Sequence, residues 1–138
     1  MAKILIVDDD PDWLQRCEKA LAERGHETYS TSDPRDAINQ IRYGNFFGMV
    51  SDVQIGHDRK AGIDLAREAQ GNDMPYCLWT HNAYLLEEVQ SLQRPVVPKS
   101  DDPGKSQYNF DTIDKILTRG ISFTLQTQET YSPNQRTS

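Results

Sequence analysis

Strand-like apolar runs alternate with helix-like segments over residues 2–119, and this alternation constrains the fold more than any other feature. The run AKILIV at 2–7 is almost continuously apolar, as expected for a strand buried on both faces of a sheet. Asp-Pro pairs at 10–11 and 33–34 signal helices, because aspartate can cap a helix whose first residue is proline. Five strands are predicted, at 2–7, 26–31, 46–52, 74–80 and 94–99. Their alternation with helices predicts a doubly wound α/β fold, a parallel sheet flanked by helices on both faces.

A polar residue that can bind a ligand or take part in a reaction ends or follows four of these strands. The carboxyl ends of parallel strands lie along one edge of the sheet, where ligands bind. One small acidic pocket is therefore expected there, containing Asp8, Asp9, Asp52, Thr80 and Lys99. At an effective dielectric of about 20, two unit charges roughly 5 Å apart repel by about 3 kcal/mol. A divalent cation that prefers oxygen ligands would relieve this repulsion, and the lysine ammonium could hold one further anionic oxygen.

Composition excludes several other kinds of protein. The net charge of −6 argues against nonspecific nucleic-acid binding, which needs a basic face. No apolar stretch approaches the roughly 20 residues that span a bilayer, and the amino terminus does not have the form of a signal peptide. Cys17 and Cys77 lie within apolar patterns and lack metal-ligand spacing, so both are expected to be buried, reduced thiols in a cytoplasmic protein.

The last part of the chain differs in composition from the rest. Residues 1–120 are predicted to form one domain, followed by a polar tail at 121–138 that is rich in Ser, Thr, Asn and Gln. Disorder is the expectation for such a segment. Alternating Ile121, Phe123 and Leu125 also permit a short extra strand, with which a partner or a second copy could pair.

Taken together, these positions resemble the receiver domain of two-component response regulators. The acid pair at 8–9, the central Asp52, Thr80 and Lys99 occur in that family's order, each at its own strand end. The resemblance extends over residues 2 to about 119. It implies a flavodoxin-like strand order of 2-1-3-4-5 and a stand-alone response regulator rather than an enzyme acting on a separate substrate.

The resemblance also implies roles for individual residues. Asp52 would be the phosphoacceptor, taking a phosphoryl group from a histidine kinase or histidine phosphotransfer protein. Mg²⁺ would be the cofactor, bound directly by Asp9, largely through water by Asp8, and also by Asp52 and the Gln54 backbone carbonyl. The metal would neutralise charge that develops on the phosphoryl oxygens.

Two further residues would complete the switch. Lys99 would pair with one phosphoryl oxygen, and the Thr80 hydroxyl would turn inward to another. That movement would bias an existing two-state equilibrium and alter a face formed by the fourth helix, fifth strand and fifth helix. The implied partner there is a downstream protein, with a homodimer also possible. The chain would assist its own phosphorylation and dephosphorylation, and no nucleic acid or membrane partner is implied.

Four features depart from the family pattern. Ser100 stands where proline usually follows the lysine, and Val96 stands where Tyr or Phe usually reports activation. His81 follows the threonine, where Ala or Gly usually leaves space, so it either gates the site or points away. The loop at 56–61 is longer and more charged than usual, and is either a docking element or solvated.

Other readings remain open at this level. The same residues could belong to a degenerate receiver that acts as a constitutive scaffold or dimerisation module, which Ser100, Val96 and His81 favour. A phosphohydrolase with an aspartyl nucleophile is a further class. It would need a second aspartate two residues after Asp52, and Gln54 stands there.

Overall fold

The sheet has the predicted topology. The computed structural model describes residues 3–119. Its five parallel strands are β1 (Lys3–Val7), β2 (Glu27–Thr31), β3 (Gly48–Asp52), β4 (Tyr76–Thr80) and β5 (Val96–Pro98). They lie in the order β2-β1-β3-β4-β5. The doubly wound α/β fold and the strand order are therefore confirmed. Each predicted strand is present and slightly shorter than expected, with β2 and β5 at the two edges. The helices between and after the strands are α1 (Pro11–Glu23), α2 (Pro34–Tyr43), α3 (Ala61–Gly71), α4 (Ala83–Ser91) and α5 (Pro103–Arg119).

Two helix starts follow directly from the Asp-Pro pairs. Asp10 accepts a hydrogen bond from the Asp12 backbone N–H at 2.9 Å, and Asp33 accepts one from the Arg35 N–H at 2.9 Å. The proline that follows each cap begins α1 or α2. Proline costs nothing there, because the first N–H groups of a helix have no partner within the helix.

The hydrophobic core has two layers, one on each face of the sheet. Leu5 and Val7 pack with α2, α3 and α4, whereas Ile4 and Ile6 pack with α1 and α5. Successive strand residues point to opposite faces, so a strand covered on both sides is apolar throughout. Each such buried side chain stabilises the fold by about 1.5–3 kcal/mol, which fixes the strands whose ends carry the polar residues.

Both cysteines are buried free thiols, as predicted. Burial raises the pKa of the Cys17 and Cys77 thiols far above the usual range. Within residues 3–119, no helix combines the length and apolarity needed to cross a bilayer. The predicted tail at 121–138, with its possible strand at 121–125, lies outside the described residues.

Candidate functional site

Three of the predicted residues form a buried charged triad at the carboxyl edge of the sheet. Asp8 follows β1, Asp52 ends β3 and Lys99 follows β5. The Lys99 ammonium donates hydrogen bonds to Asp8 Oδ2 at 2.7 Å and to Asp52 Oδ2 at 3.0 Å. The exposed fractions of the three side chains are 0% for Asp8, 12% for Asp52 and 1% for Lys99. Charges buried to this extent require close partners, because each has lost its hydration.

Backbone groups hold the second oxygen of each carboxylate. Asp8 Oδ1 accepts a hydrogen bond from the Asp10 N–H at 3.0 Å, and Asp52 Oδ1 accepts one from the Val53 N–H at 2.7 Å. The lysine is anchored similarly, because its backbone N–H donates to the Thr80 carbonyl at 2.9 Å. The triad is therefore fixed in place by the ends of the strands themselves.

Asp52 is a weaker acid than an ordinary aspartate. Burial raises the pKa of its carboxyl from 3.8 to about 6, with the negative charge of Asp8 acting in the same direction. The positive charge of Lys99 opposes this rise without cancelling it. Asp52 is thus mostly ionised at neutral pH, yet it takes up a proton more readily than an exposed carboxyl.

The third acid, Asp9, lies on the open side of the triad. Asp9 is exposed, and its Oδ2 accepts a hydrogen bond from the Gly56 N–H at 2.8 Å. One carboxylate oxygen from each of Asp8, Asp9 and Asp52 can be chosen so that the three atoms lie within 4.8 Å of one another. Carboxylate oxygens this close form a donor set suited to a hard divalent cation.

A cavity of about 210 Å³ opens in front of these acids. Its lining includes Asp9, Asp52, Gln54, Thr80, His81 and Asn82. All the predicted site residues therefore lie either in the charged triad or on this cavity. Their arrangement offers an ionised carboxylate beside a cation on one side and an open, polar space on the other.

Thr80 is linked to the start of α4 through Asn82. Thr80 Oγ1 accepts a hydrogen bond from the Asn82 backbone N–H at 3.1 Å. The Asn82 side chain caps α4, accepting from the Tyr84 N–H at 2.9 Å and the Leu85 N–H at 3.2 Å. The sequence analysis did not identify this cap, although asparagine just before a helical stripe is a recognisable signal.

Two tryptophans flank the Lys99 ammonium, and His81 stacks on one of them. The His81 ring stacks on Trp13, with ring centroids 6.2 Å apart and planes 26° apart. His81 also lines the cavity, which is where a residue that gates the site would lie. Lys99 Nζ lies 5.2 Å from the centroid of the Trp13 ring and 5.0 Å from that of the Trp79 ring. The sequence did not indicate that either indole would contact the lysine.

The loop after β3 is closed by a glycine that cannot be replaced without movement. The Gly62 N–H donates to the Val53 carbonyl at 2.8 Å, and a Cβ at Gly62 would lie 2.1 Å from the Asp52 carbonyl oxygen. Before it, Ile55 and Asp58 pair through two backbone hydrogen bonds of 3.0 and 3.2 Å. This loop, which is longer than is usual in the receiver family, therefore forms a turn. Its residues 56–60 are exposed.

The chain is similar to known proteins in sequence and in fold. No protein-family model matches the chain. The transcriptional regulatory protein PrrA of Mycobacterium bovis and of Mycobacterium tuberculosis is 25% identical over 91 residues, which is 66% of this chain and 39% of PrrA. The matched region thus spans about two fifths of the length of those curated relatives.

Solved structures show the same fold. A response regulator receiver protein from Sinorhizobium medicae WSM419 is 24% identical, with a TM-score of 0.67 over 85% of this chain and 94% of that one. Response regulator TrrA from Thermotoga maritima, in complex with Mg²⁺–BeF, is 22% identical, with a TM-score of 0.69 over 86% of this chain and 98% of that one. The fold is that of receiver domains. Identities this low establish the receiver fold alone, so the function rests on the chemistry of the residues at the site.

Proposed function

We propose that this chain is a receiver that accepts a phosphoryl group on Asp52 and signals through protein–protein contacts. One observation carries the proposal: the Asp52 carboxylate lies between a buried ammonium at 3.0 Å and an open cavity bordered by a second carboxylate. An anionic group entering that cavity would meet Asp52 as the nucleophile and Lys99 as the balancing charge. The receiver is proposed to occupy residues 1–120, and its location is proposed to be the cytoplasm.

The acids fit Mg²⁺, the ion that receiver chemistry requires. Asp8, Asp9 and Asp52 offer oxygens within 4.8 Å of one another, and Gln54, whose backbone carbonyl is the proposed fourth ligand, lies on the same cavity. When bound, the ion would neutralise charge on the phosphoryl oxygens. The Mg²⁺–BeF complex of TrrA, which shares the fold, supports this assignment by analogy.

Asp52 is prepared to act as a nucleophile in its ionised form. With a pKa of about 6, the carboxyl is mostly deprotonated at neutral pH. An oxygen of Asp52 would form a bond to phosphorus as the phosphorus–nitrogen bond of a phosphohistidine breaks, and the histidine nitrogen would keep the electron pair. The donor would be a histidine kinase or a histidine phosphotransfer protein. Lys99 would remain in place and pair with one oxygen of the new phosphoryl group.

Thr80 would transmit the change to the surface. Its hydroxyl oxygen now accepts the Asn82 N–H, and Asn82 caps α4. If the hydroxyl turned to donate to a phosphoryl oxygen, the hydrogen bond that holds the α4 cap would be strained or lost. The equilibrium between two positions of this segment would shift, which changes the face formed by α4, β5 and α5. A downstream protein or a second copy of the chain would bind there.

Phosphorylation is tested with a small phosphodonor. The protein is incubated with Mg²⁺ and acetyl phosphate, and intact mass spectrometry measures the fraction carrying one phosphoryl group. Labelling is expected in the wild type, to be absent in Asp52→Asn, and to persist in the matched control Asp64→Asn, which changes an exposed aspartate of α3. An unlabelled wild type, or labelling of Asp52→Asn equal to the wild type, contradicts the proposal.

One observation favours the second candidate, a constitutive scaffold. Val96 is buried in the core at the position where an aromatic side chain usually reports activation, so that part of the switch is replaced by packing. A scaffold predicts that Mg²⁺ with beryllium fluoride leaves the amide NMR spectrum of α4 and β5 unchanged. Shifts that spread from Thr80 through α4 would instead support the phosphorylation-dependent receiver.

A further inference from the structure

The Lys99 ammonium is enclosed by two indole rings as well as by two carboxylates. Its Nζ lies 5.2 Å from the Trp13 ring centroid and 5.0 Å from the Trp79 ring centroid. The two rings meet edge to face, with centroids 5.5 Å apart and planes at 80°. A cation within about 6 Å of an indole centroid is attracted by the negative face of the ring, more strongly where water is excluded. Lys99, with a side chain that is 1% exposed, is in such a place.

We propose that Trp13 and Trp79 are positioning residues that hold the Lys99 ammonium against Asp8 and Asp52. An ammonium has three N–H donors, and two of them are used by the carboxylates. The rings provide attraction on the remaining side without offering a competing oxygen. If an entering ligand engaged one carboxylate, the ammonium would still be held at the other. The consequence for phosphoryl binding rests on the function proposed above, whereas the positioning itself does not.

The sheet register places Trp79 for this role. Asp52 of β3 pairs with Trp79 of β4, which in turn pairs with Val97 of β5. Side chains at paired positions of parallel strands share a face, and Lys99 lies two residues after Val97 on that same face. Among residues 3–119, the Trp79 Nε1 is buried without a hydrogen-bond partner. Its hydrogen-bonding capacity therefore does not explain a tryptophan here, whereas its ring face does.

Trp13 is fixed from the outer side. The Arg16 guanidinium carbon lies 4.6 Å from the centroid of the Trp13 ring, and Arg16 is itself paired with Asp101 at 2.7 Å. His81 stacks on the same indole. Because these neighbours already fix the Trp13 ring, the ring loses little further side-chain entropy when the Lys99 ammonium packs against it. A ring fixed in this way can restrain the flexible lysine.

The positioning is tested in the metal-free protein. The exchange of the Lys99 ammonium protons with water is measured by ¹⁵N NMR at fixed pH, because a held, buried ammonium exchanges slowly. Trp13→Leu, which keeps an apolar side chain but removes the ring, is expected to accelerate exchange about tenfold, with Trp13→Phe intermediate. Phe110→Leu is the matched control: Phe110 contacts Trp79 in the same core layer with ring centroids 5.7 Å apart. Exchange unchanged in Trp13→Leu, or equally accelerated in Phe110→Leu, overturns the proposal.

The effect on the site is measured by the affinity for beryllium fluoride at saturating Mg²⁺. Trp13→Leu is expected to bind about tenfold more weakly than the wild type, and Trp13→Phe to recover part of that loss. Faster ammonium exchange with an affinity within about twofold of the wild type would show that the indoles hold the ammonium, and it would overturn the proposed consequence for phosphoryl binding. If the wild type bound no beryllium fluoride, the proposed function would fail, and the exchange measurement alone would decide whether the indoles hold the lysine.

Discussion

The inner and outer halves of the site are built on opposite physical principles. In the inner half, Asp8, Asp52 and Lys99 are buried and satisfy one another within 3.0 Å. In the outer half, Asp9 is exposed and Thr80 turns its hydroxyl oxygen to a backbone N–H. The inner groups pair with one another without a ligand, and of these only Asp52 reaches the cavity of about 210 Å³ that Asp9 and Thr80 also line.

This difference separates folding from binding. A buried charge that loses its partner costs several kcal/mol, so the inner half must form whenever the protein folds. An exposed acid costs little free energy in either the folded or the unfolded state. The residues of the outer half can therefore serve ligand binding with little consequence for stability. Substitutions in the inner half should therefore change stability most, and those in the outer half should change ligand affinity with little effect on stability.

Replacing Lys99 should have the largest effect. Lys99→Met keeps a long apolar side chain but leaves the Asp8 and Asp52 carboxylates buried without a cation. We expect the free energy of unfolding at neutral pH to fall by about 3–5 kcal/mol, the usual result of breaking a buried pair. Urea unfolding followed by tryptophan fluorescence measures this change. The destabilisation should be smaller under mildly acidic conditions, where Asp52 can take up a proton, because removal of Lys99 also removes an interaction that lowers the pKa of this carboxyl.

Arg42→Met provides the control for that experiment. Arg42 also pairs with an acid, Glu68, but its side chain is 47% exposed. Exposed pairs contribute little to stability, so the loss should be much smaller than for Lys99→Met. Equal losses in the two variants would mean that burial does not distinguish the inner triad from a surface ion pair.

Neutralising Asp52 should have a smaller effect of opposite sign. The folded-state pKa, about 6, lies above the ordinary 3.8. Between these values the folded protein binds more protons than the unfolded chain, so stability falls as the pH rises through this window. Asp52→Asn should therefore be more stable than the wild type at neutral pH by on the order of 1–3 kcal/mol. The two proteins should converge near pH 4. Urea titrations at both pH values measure this, and a variant less stable at neutral pH would show that Lys99 outweighs burial.

Sequence reasoning reached the location of the site because the location depends only on topology. Each of Asp52, Thr80 and Lys99 ends or follows an apolar run, and the carboxyl ends of parallel strands must converge. That argument needs no knowledge of side-chain conformations. The strand order, by contrast, followed from the family resemblance.

The sequence could not divide the site into its two halves. Asp8 and Asp9 are neighbours of the same type, and only the alternation of side-chain direction at the end of β1 makes one buried and the other exposed. The contacts of Trp13 and Trp79 with Lys99 join residues distant in the chain. They depend on side-chain rotamers and on distances of a few ångströms, which no periodicity encodes. The Thr80–Asn82 hydrogen bond was likewise hidden, and the asparagine cap of α4 was not recognised although its residue type is a known signal.

Asp9 should show the smallest effect on stability and a clear effect on binding. Asp9→Asn keeps an oxygen able to accept the Gly56 N–H, so the free energy of unfolding should change by less than about 1 kcal/mol. Mg²⁺ affinity, measured by calorimetric titration, should nevertheless fall at least about tenfold, because a charged oxygen ligand is lost. Asp10→Asn is the matched control, since Asp10 is the adjacent exposed acid and asparagine caps α1 equally well. If both variants weakened Mg²⁺ binding equally, the ion would be responding to the general charge of the region. Loss confined to Asp9→Asn would show that the outer half is a specific ligand set, held ready by an inner triad that needs no metal to form.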